Sequence, residues 1–320
     1  MKIGVFGAGS IGCYAGGMLA ANSNDVVLVG RARMAARLAG GIELTRHDGM
    51  RKSVPAADFT FATEPEALAG CEAILVCVKS TGTAEAARQL ASVLKERTLV
   101  ASFQNGISNT EILRKGLSQC RVLGAMVPFN VAQIGENRFH QGTEGGIVLE
   151  DRPGALKIAT TLNQADVPTM VRPDFEAVQW GKLLMNLNNA VNALSGLPLK
   201  AQLSRREHRL VLADCVEEAL TALRAAHIRP AKIGRVSPGL IPVILRLPDF
   251  LFTRIAGSML KIDEDARSSM AEDLEQKREP EIDYLNGEIV RLGEEFGVPT
   301  PVNSSIVATV KQRFAERVRA

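Results

Sequence analysis

Short apolar runs alternate with helical stretches through the first half of the chain. Lys2–Gly7, Asp25–Gly30, Ala73–Lys79, Leu99–Gln104 and Val122–Ala125 are continuously hydrophobic, as strands covered on both faces must be. Ile11–Asn22 and Thr83–Lys95 carry helical character between them, and Gly142–Leu149 reads as a more irregular strand near an edge. From about Pro173 the strand signal nearly vanishes. Helices are predicted over Phe175–Leu194, Glu207–Ala226, Ser237–Phe252, Ile262–Lys277, Glu281–Phe296 and Ser304 to the end. The pattern predicts an α/β N-terminal domain, a doubly wound parallel sheet of the Rossmann type over residues 1–172, and an all-α C-terminal domain over residues 173–320. Two domains joined without a linker predict a cleft for a small molecule.

The glycines sharpen this picture. Gly7-Ala8-Gly9-Ser10-Ile11-Gly12 follows the first strand and opens the first helix, the setting in which GxGxxG binds a dinucleotide. Gly7 permits the turn, Gly9 lets backbone amides approach a pyrophosphate, and Gly12 allows helix and strand to pack closely. The helix N-terminus offers its free N–H groups to phosphate. A glycine turn without a cofactor is the bland alternative. The second strand ends Val29-Gly30-Arg31-Ala32-Arg33, with no acid to bond a ribose 2′-hydroxyl. A guanidinium suits a 2′-phosphate instead, so Arg31, helped by Arg33, points to NADPH/NADP+. Lys79 and Asn105 end the next strands, at the edge where ligands gather, and Asn130 is a weaker candidate at the same edge.

A reductase also needs a proton donor. In Trp180–Leu194, the residues Leu183, Leu184, Leu187, Ala190, Val191 and Leu194 share one apolar face. Lys182, Asn186 and Asn189 form a second line, and Asn188 and Asn192 a third. Asparagine is a mediocre helix former, so this density suggests a polar substrate wall or, failing that, polar helix packing. Glu281 follows Pro280 at a predicted helix start, where an acid is favourable on dipole grounds alone.

Charge and composition exclude several classes. Hydrophobic residues make up 46% and charged residues 23%, with a net charge of +3, which argues against a dedicated nucleic-acid binder. Five cysteines and four histidines are scattered without metal-ligand spacing, so no metal site is expected. The N-terminus lacks a signal-peptide pattern, and the apolar stretch Ile241–Phe252 is too short to span a bilayer. The expectation is a cytoplasmic enzyme with no membrane or nucleic-acid partner, compatible with a homodimer through the helical domain.

In this order the motifs closely resemble the ketopantoate reductases (2-dehydropantoate 2-reductases). The resemblance runs along nearly the whole chain, through GxGxxG, Lys79, the Asn-Gly pair, the Lys-Leu-Leu-x-Asn helix, Ser268-Ser269-Met270 and Glu-Ile-Asp-Tyr-Leu-Asn-Gly. It implies NADPH-dependent reduction of 2-dehydropantoate to (R)-pantoate. The proton-donating lysine then falls on Lys182 and the active-site glutamate on Glu281. Substrate residues fall on Asn105, Asn186 and Ser269, and cofactor residues on Arg31 and Lys79. The family commonly has asparagine where this chain has Ala190, a place Asn189 can take, and often where it has Ala266. Both departures leave open a reductase of another 2-oxo acid or ketone. A non-catalytic NADP-sensing protein is the reading from a different class.

Overall fold

In chain order the elements are β1 (Lys2–Phe6), α1 (Ser10–Ala21), β2 (Asp25–Val29), α2 (Ala32–Leu38), β3 (Ile42–Arg46), β4 (Arg51–Val54), β5 (Thr60–Ala62), β6 (Ala73–Val76), α3 (Thr83–Ala91), β7 (Leu99–Ser102), α4 (Asn109–Gly116), β8 (Arg121–Met126), β9 (Val131–Ile134), β10 (Arg138–Gln141), β11 (Ile147–Glu150), α5 (Ala155–Gln164) and β12 (Thr169–Arg172). Helices α6 (Phe175–Asn186), α7 (Asn188–Ser195), α8 (Leu199–Ser204), α9 (Arg206–Ala225), α10 (Ile241–Leu245), α11 (Asp249–Ile255), α12 (Ser269–Glu275), α13 (Asn286–Phe296) and α14 (Pro301–Arg319) follow. This computed structural model describes residues 1–232, 234, 236–255 and 266–319. It divides into two compact units, Met1–Phe175 and a second beginning at Glu176.

In the first unit, eight strands form one sheet in the order β12-β11-β8-β7-β6-β1-β2-β5. From β8 to β5 every neighbouring pair is parallel, whereas β11 runs antiparallel to β8. The chain moves from β1 to β2 on one side and later returns to β6 on the other. This puts a switch point between β1 and β6, where open α/β sheets bind ligands beyond their carboxyl ends. Val5, Leu28, Ile74, Leu75 and Val100 are buried, which explains why these strands read as unbroken apolar runs.

A second, four-stranded sheet, β4-β3-β10-β9, has no counterpart in the sequence-based expectation. The irregular strand expected near an edge over Gly142–Leu149 forms in its second half, as β11 beside the edge strand β12. β10 ends at Gln141 in the small sheet, and β11 begins at Ile147 in the large one. Gly145, at φ 137°, lies in the turn between them.

The second unit is helical, with its breaks placed by side chains. The helix expected over Ser237–Phe252 is interrupted because buried Arg209 donates to the carbonyls of Leu245 (3.2 Å) and Leu247 (2.9 Å). Arg209 also bonds Asp249 at 2.7 Å and lies 4.2 Å from the centre of the Phe252 ring. Pro248 cannot continue a helix in any case. Helix α14 begins at Pro301, before the expected Ser304, because the Glu218 carboxylate accepts from the N–H groups of Val302 (2.8 Å) and Asn303 (3.0 Å). The helix expected over Phe175–Leu194 pauses at Leu187, whose backbone stays right-handed (φ −57°, ψ −27°). The expected Glu281–Phe296 helix opens as a tight turn over Ile282–Tyr284 before α13. Of the helix expected over Ile262–Lys277, residues 262–265 lie outside the described residues, and α12 spans only Ser269–Glu275. No described helix is long and apolar enough to cross a membrane.

Candidate active site

The three glycines of the turn from β1 to α1 differ in what surrounds them. Gly7 has φ 110°, and a Cβ there would lie 2.6 Å from the backbone nitrogen of Val78, so the turn lies directly against the chain leaving β6. A Cβ on Gly12 would lie 2.2 Å from the Gly7 carbonyl oxygen. A Cβ on Gly9, in contrast, would meet nothing within 4 Å. Two glycines therefore serve packing inside the protein, and the middle one keeps a face open. Ala8 is buried and Ser10 and Ile11 are half-buried, so the turn is firmly seated. Helix α1 carries no acid in its first turn to compete with a phosphate.

Four further candidates lie beyond carboxyl ends of the parallel strands. Arg31 follows β2 and caps α2; both it and Arg33 are exposed, and neither side chain has a hydrogen bond or ion pair among the described residues. No acid follows β2 within this turn. Lys79 comes three residues after β6, Asn105 three after β7 and Asn130 four after β8. The Asn105 carbonyl accepts from Ser80 Oγ (3.2 Å) and Asn109 Nδ2 (2.5 Å). The backbone N–H of Asn130 donates to Thr143 Oγ1 at 3.1 Å, and its carbonyl accepts from the Gly142 N–H at 3.0 Å. The bonds to Ser80, Asn109 and Thr143 come from residues with no motif of their own.

In the second unit Lys182 and Asn186 lie one turn apart on α6. Trp180, Leu183 and Leu184 are buried around Lys182, and burial pushes its ammonium below the ordinary lysine range. Asn186 is buried, whereas Asn189 on α7 is half-buried. The third asparagine line belongs to packing. Asn192 donates to the Leu197 carbonyl (2.9 Å) and accepts from the Ser268 N–H (2.9 Å), while Asn188 accepts from Gln202 at 3.1 Å. Ser268 caps α12 by accepting from the Ala271 N–H at 3.2 Å, and its hydroxyl donates to the Asn189 carbonyl at 2.9 Å. Ser269, next along and exposed, is thereby held beside α7. Glu281 is half-buried and precedes the turn at Ile282–Tyr284. Ala190 is fully buried.

Residues 3–154 match the family described as ketopantoate reductase PanE/ApbA, and residues 174–314 match its C-terminal part. The chain belongs to the ketopantoate reductase family. A 2-dehydropantoate 2-reductase of Mesorhizobium japonicum is 28% identical over 99% of this chain and 99% of its own length. One from Archaeoglobus fulgidus is 26% identical over 97% of each chain. The crystal structure of a PanE/ApbA family ketopantoate reductase from Ralstonia eutropha superposes with a TM-score of 0.86 at 29% identity, covering 99% of this chain and 100% of that one. The fold is also that of a D-mandelate dehydrogenase solved with NADH and anilino(oxo)acetate, with a TM-score of 0.80 at 19% identity over 99% of both chains. The parallel-dominated sheet and helical second unit are thus the ketopantoate reductase fold.

Proposed function

We propose that this chain reduces 2-dehydropantoate to (R)-pantoate with NADPH. The observation that carries the reading is the glycine turn at the sheet's switch point, open at Gly9, with an arginine whose side chain is unpaired after β2 in place of an acid. The free N–H groups at the start of α1 would hold the pyrophosphate, and Arg31 the 2′-phosphate. Lys79, Asn105 and Asn130 would line the same edge. When bound, the reduced dinucleotide supplies the hydride that goes to the substrate carbonyl carbon.

The remaining chemistry belongs to the second unit. The Lys182 ammonium would donate its proton to the carbonyl oxygen and be left as a neutral amine, a change that its burial favours. Glu281 would hold the substrate hydroxyl or orient the lysine. Asn105, Asn186, Asn189 and Ser269 would orient the keto acid.

One observation favours a different keto acid as a second reading. Ala190 is fully buried and apolar where the family commonly has asparagine, and the neighbour that can take its place, Asn189, is only half-buried. NADPH oxidation followed with 2-dehydropantoate and with a panel of other 2-oxo acids decides the matter. Turnover of 2-dehydropantoate above the others supports the proposal. Turnover of another ketone alone moves the assignment within the fold, and dinucleotide binding without any turnover leaves a nucleotide sensor.

A further inference from the structure

Behind the sheet edge that carries Lys79 and Asn105 lies a buried polar cluster with no role in the reading above. Ser80 and Thr83 are fully buried, and Asn109 is 2% exposed. Asn109 Nδ2 donates to Ser80 Oγ at 3.0 Å and to the Asn105 carbonyl at 2.5 Å. Its Oδ1 lies 2.6 Å from Thr83 Oγ1, which also accepts from Gln104 Nε2 at 2.6 Å. Gln104 Nε2 reaches the Val78 carbonyl at 3.1 Å, and its Oε1 accepts from Ser102 at 2.9 Å.

The cluster is arranged around two residues. Lys79 lies between Val78, held through its carbonyl by Gln104, and Ser80, whose hydroxyl donates to the Asn105 carbonyl at 3.2 Å. Asn105 lies between Gln104 and Asn109, both bonded to Thr83 of the other loop, and Gly106 at φ 91° makes the turn between them. Each loop is thus bonded to the other on both sides of its candidate residue. Independent loops after β6 and β7 would have no such reason to bury the four polar side chains of Ser80, Thr83, Ser102 and Asn109. Apolar residues would fill the same space without the cost of satisfying every donor and acceptor.

We infer that Ser80, Thr83, Gln104 and Asn109 are positioning residues that weld the β6 and β7 loops into one platform, fixing Lys79 and Asn105 relative to each other for dinucleotide and keto acid. The inference rests on Lys79 and Asn105 touching those ligands, as proposed above. None of the four acts on substrate directly; they act through the backbone of the two residues they flank.

Thr83 gives the cleanest test. Thr83→Val keeps the shape and removes the hydroxyl, leaving Asn109 Oδ1 and Gln104 Nε2 each short of a partner, whereas Thr83→Ser keeps the hydroxyl. NADPH affinity is measured without keto acid, by fluorescence titration, and steady-state kinetics follow. The valine variant should bind NADPH about tenfold more weakly and raise the keto acid KM, with the serine variant within about twofold of wild type. A valine variant that melts earlier yet keeps NADPH affinity, kcat and KM would make the cluster ordinary core and overturn the inference. Should that variant not fold, Ser80→Ala replaces it: weakened NADPH binding supports the platform, and unchanged binding and kinetics refute it. Wild-type protein that binds no dinucleotide defeats the proposed function and this inference together. Wild type that binds NADPH but ignores 2-dehydropantoate defeats only the substrate, and the binding comparison still decides the platform.

Discussion

The Tyr14 hydroxyl, one turn into α1, donates to the side-chain oxygen of Gln141 at 2.7 Å, joining residues 127 positions apart. Both side chains are buried, and burial pushes the Tyr14 hydroxyl up to about 12, so it remains a donor across the ordinary pH range. Gln141 ends β10, and its amide donates to the Thr143 carbonyl at 2.9 Å. Thr143 Oγ1 in turn accepts from the backbone of Asn130. The small sheet therefore fastens the Asn130 loop to the helix behind the glycine turn. Tyr14→Phe keeps the ring, which meets Phe129 edge-on, but strands a buried acceptor. It should lower the unfolding free energy by about 1–3 kcal/mol in a urea titration, with NADPH affinity nearly unchanged. No loss of stability would show that Gln141 finds another partner.

The three glycines should respond differently to a side chain. Gly9→Val faces open space, so the variant should melt close to wild type while binding no dinucleotide. Gly12→Val drives its side chain into the Gly7 carbonyl and should be destabilised by several kcal/mol whether or not a ligand is present. Thermal melts of both proteins, with and without NADPH, test the pair. A Gly9→Val protein still stabilised by NADPH would place the cofactor elsewhere.

Arg31 offers a separate test of cofactor choice. It is exposed and unpaired, so Arg31→Ala should change stability by no more than about 0.5 kcal/mol. Loss of a charge-assisted bond to the 2′-phosphate should weaken NADPH by about 1.5–3 kcal/mol and leave NADH untouched. Calorimetric titration with both dinucleotides measures the difference. Equal NADH and NADPH affinity in the wild-type chain would end the assignment.

How far the fold was legible from the residues depended on burial. β1, β2, β6, β7 and β8 are covered on both faces, so nearly every position is apolar and the runs stand out. Arg51–Val54 is short and polar, and Val131–Ile134, though mostly apolar, is only four residues long with no fully buried position, so neither registers as a strand. The helix breaks were hidden for another reason. Apolar periodicity continues across Leu187 and Pro248, while the groups that interrupt or redirect the chain, such as Arg209, lie far off in sequence. The same limit applied to the site. Helical spacing set Lys182, Asn186 and Asn189 on one line and Asn188 and Asn192 on another, but the packing role of Asn192 rests on Leu197 and Ser268, which only the fold brings to it. Ser80, Thr83 and Asn109 escaped notice because two loops meet only after β6 and β7 pair.

The sharpest prediction concerns Lys182, where stability and catalysis should move in opposite directions. Its pKa is lowered by burial, so below that pKa both folded and unfolded chains carry the proton and the folded chain holds a poorly solvated charge. As pH rises through the lowered pKa toward the ordinary lysine value of about 10.4, the unfolded chain binds more protons and stability increases. Lys182→Met should therefore be more stable than wild type at neutral pH, with the gain shrinking as pH climbs through that window. Its kcat should fall by about 10²–10⁴-fold, the usual worth of a general acid, while NADPH affinity stays nearly constant. In wild type, kcat should decline on the alkaline side at a pH below the ordinary lysine value, as the ammonium loses its proton, and the methionine variant should lack that break. Urea titrations across pH and pH–rate profiles of both proteins measure all of this. A methionine variant with normal kcat would remove Lys182 from the reaction. One that is less stable at neutral pH would show that the ammonium is held by partners strong enough to outweigh its burial.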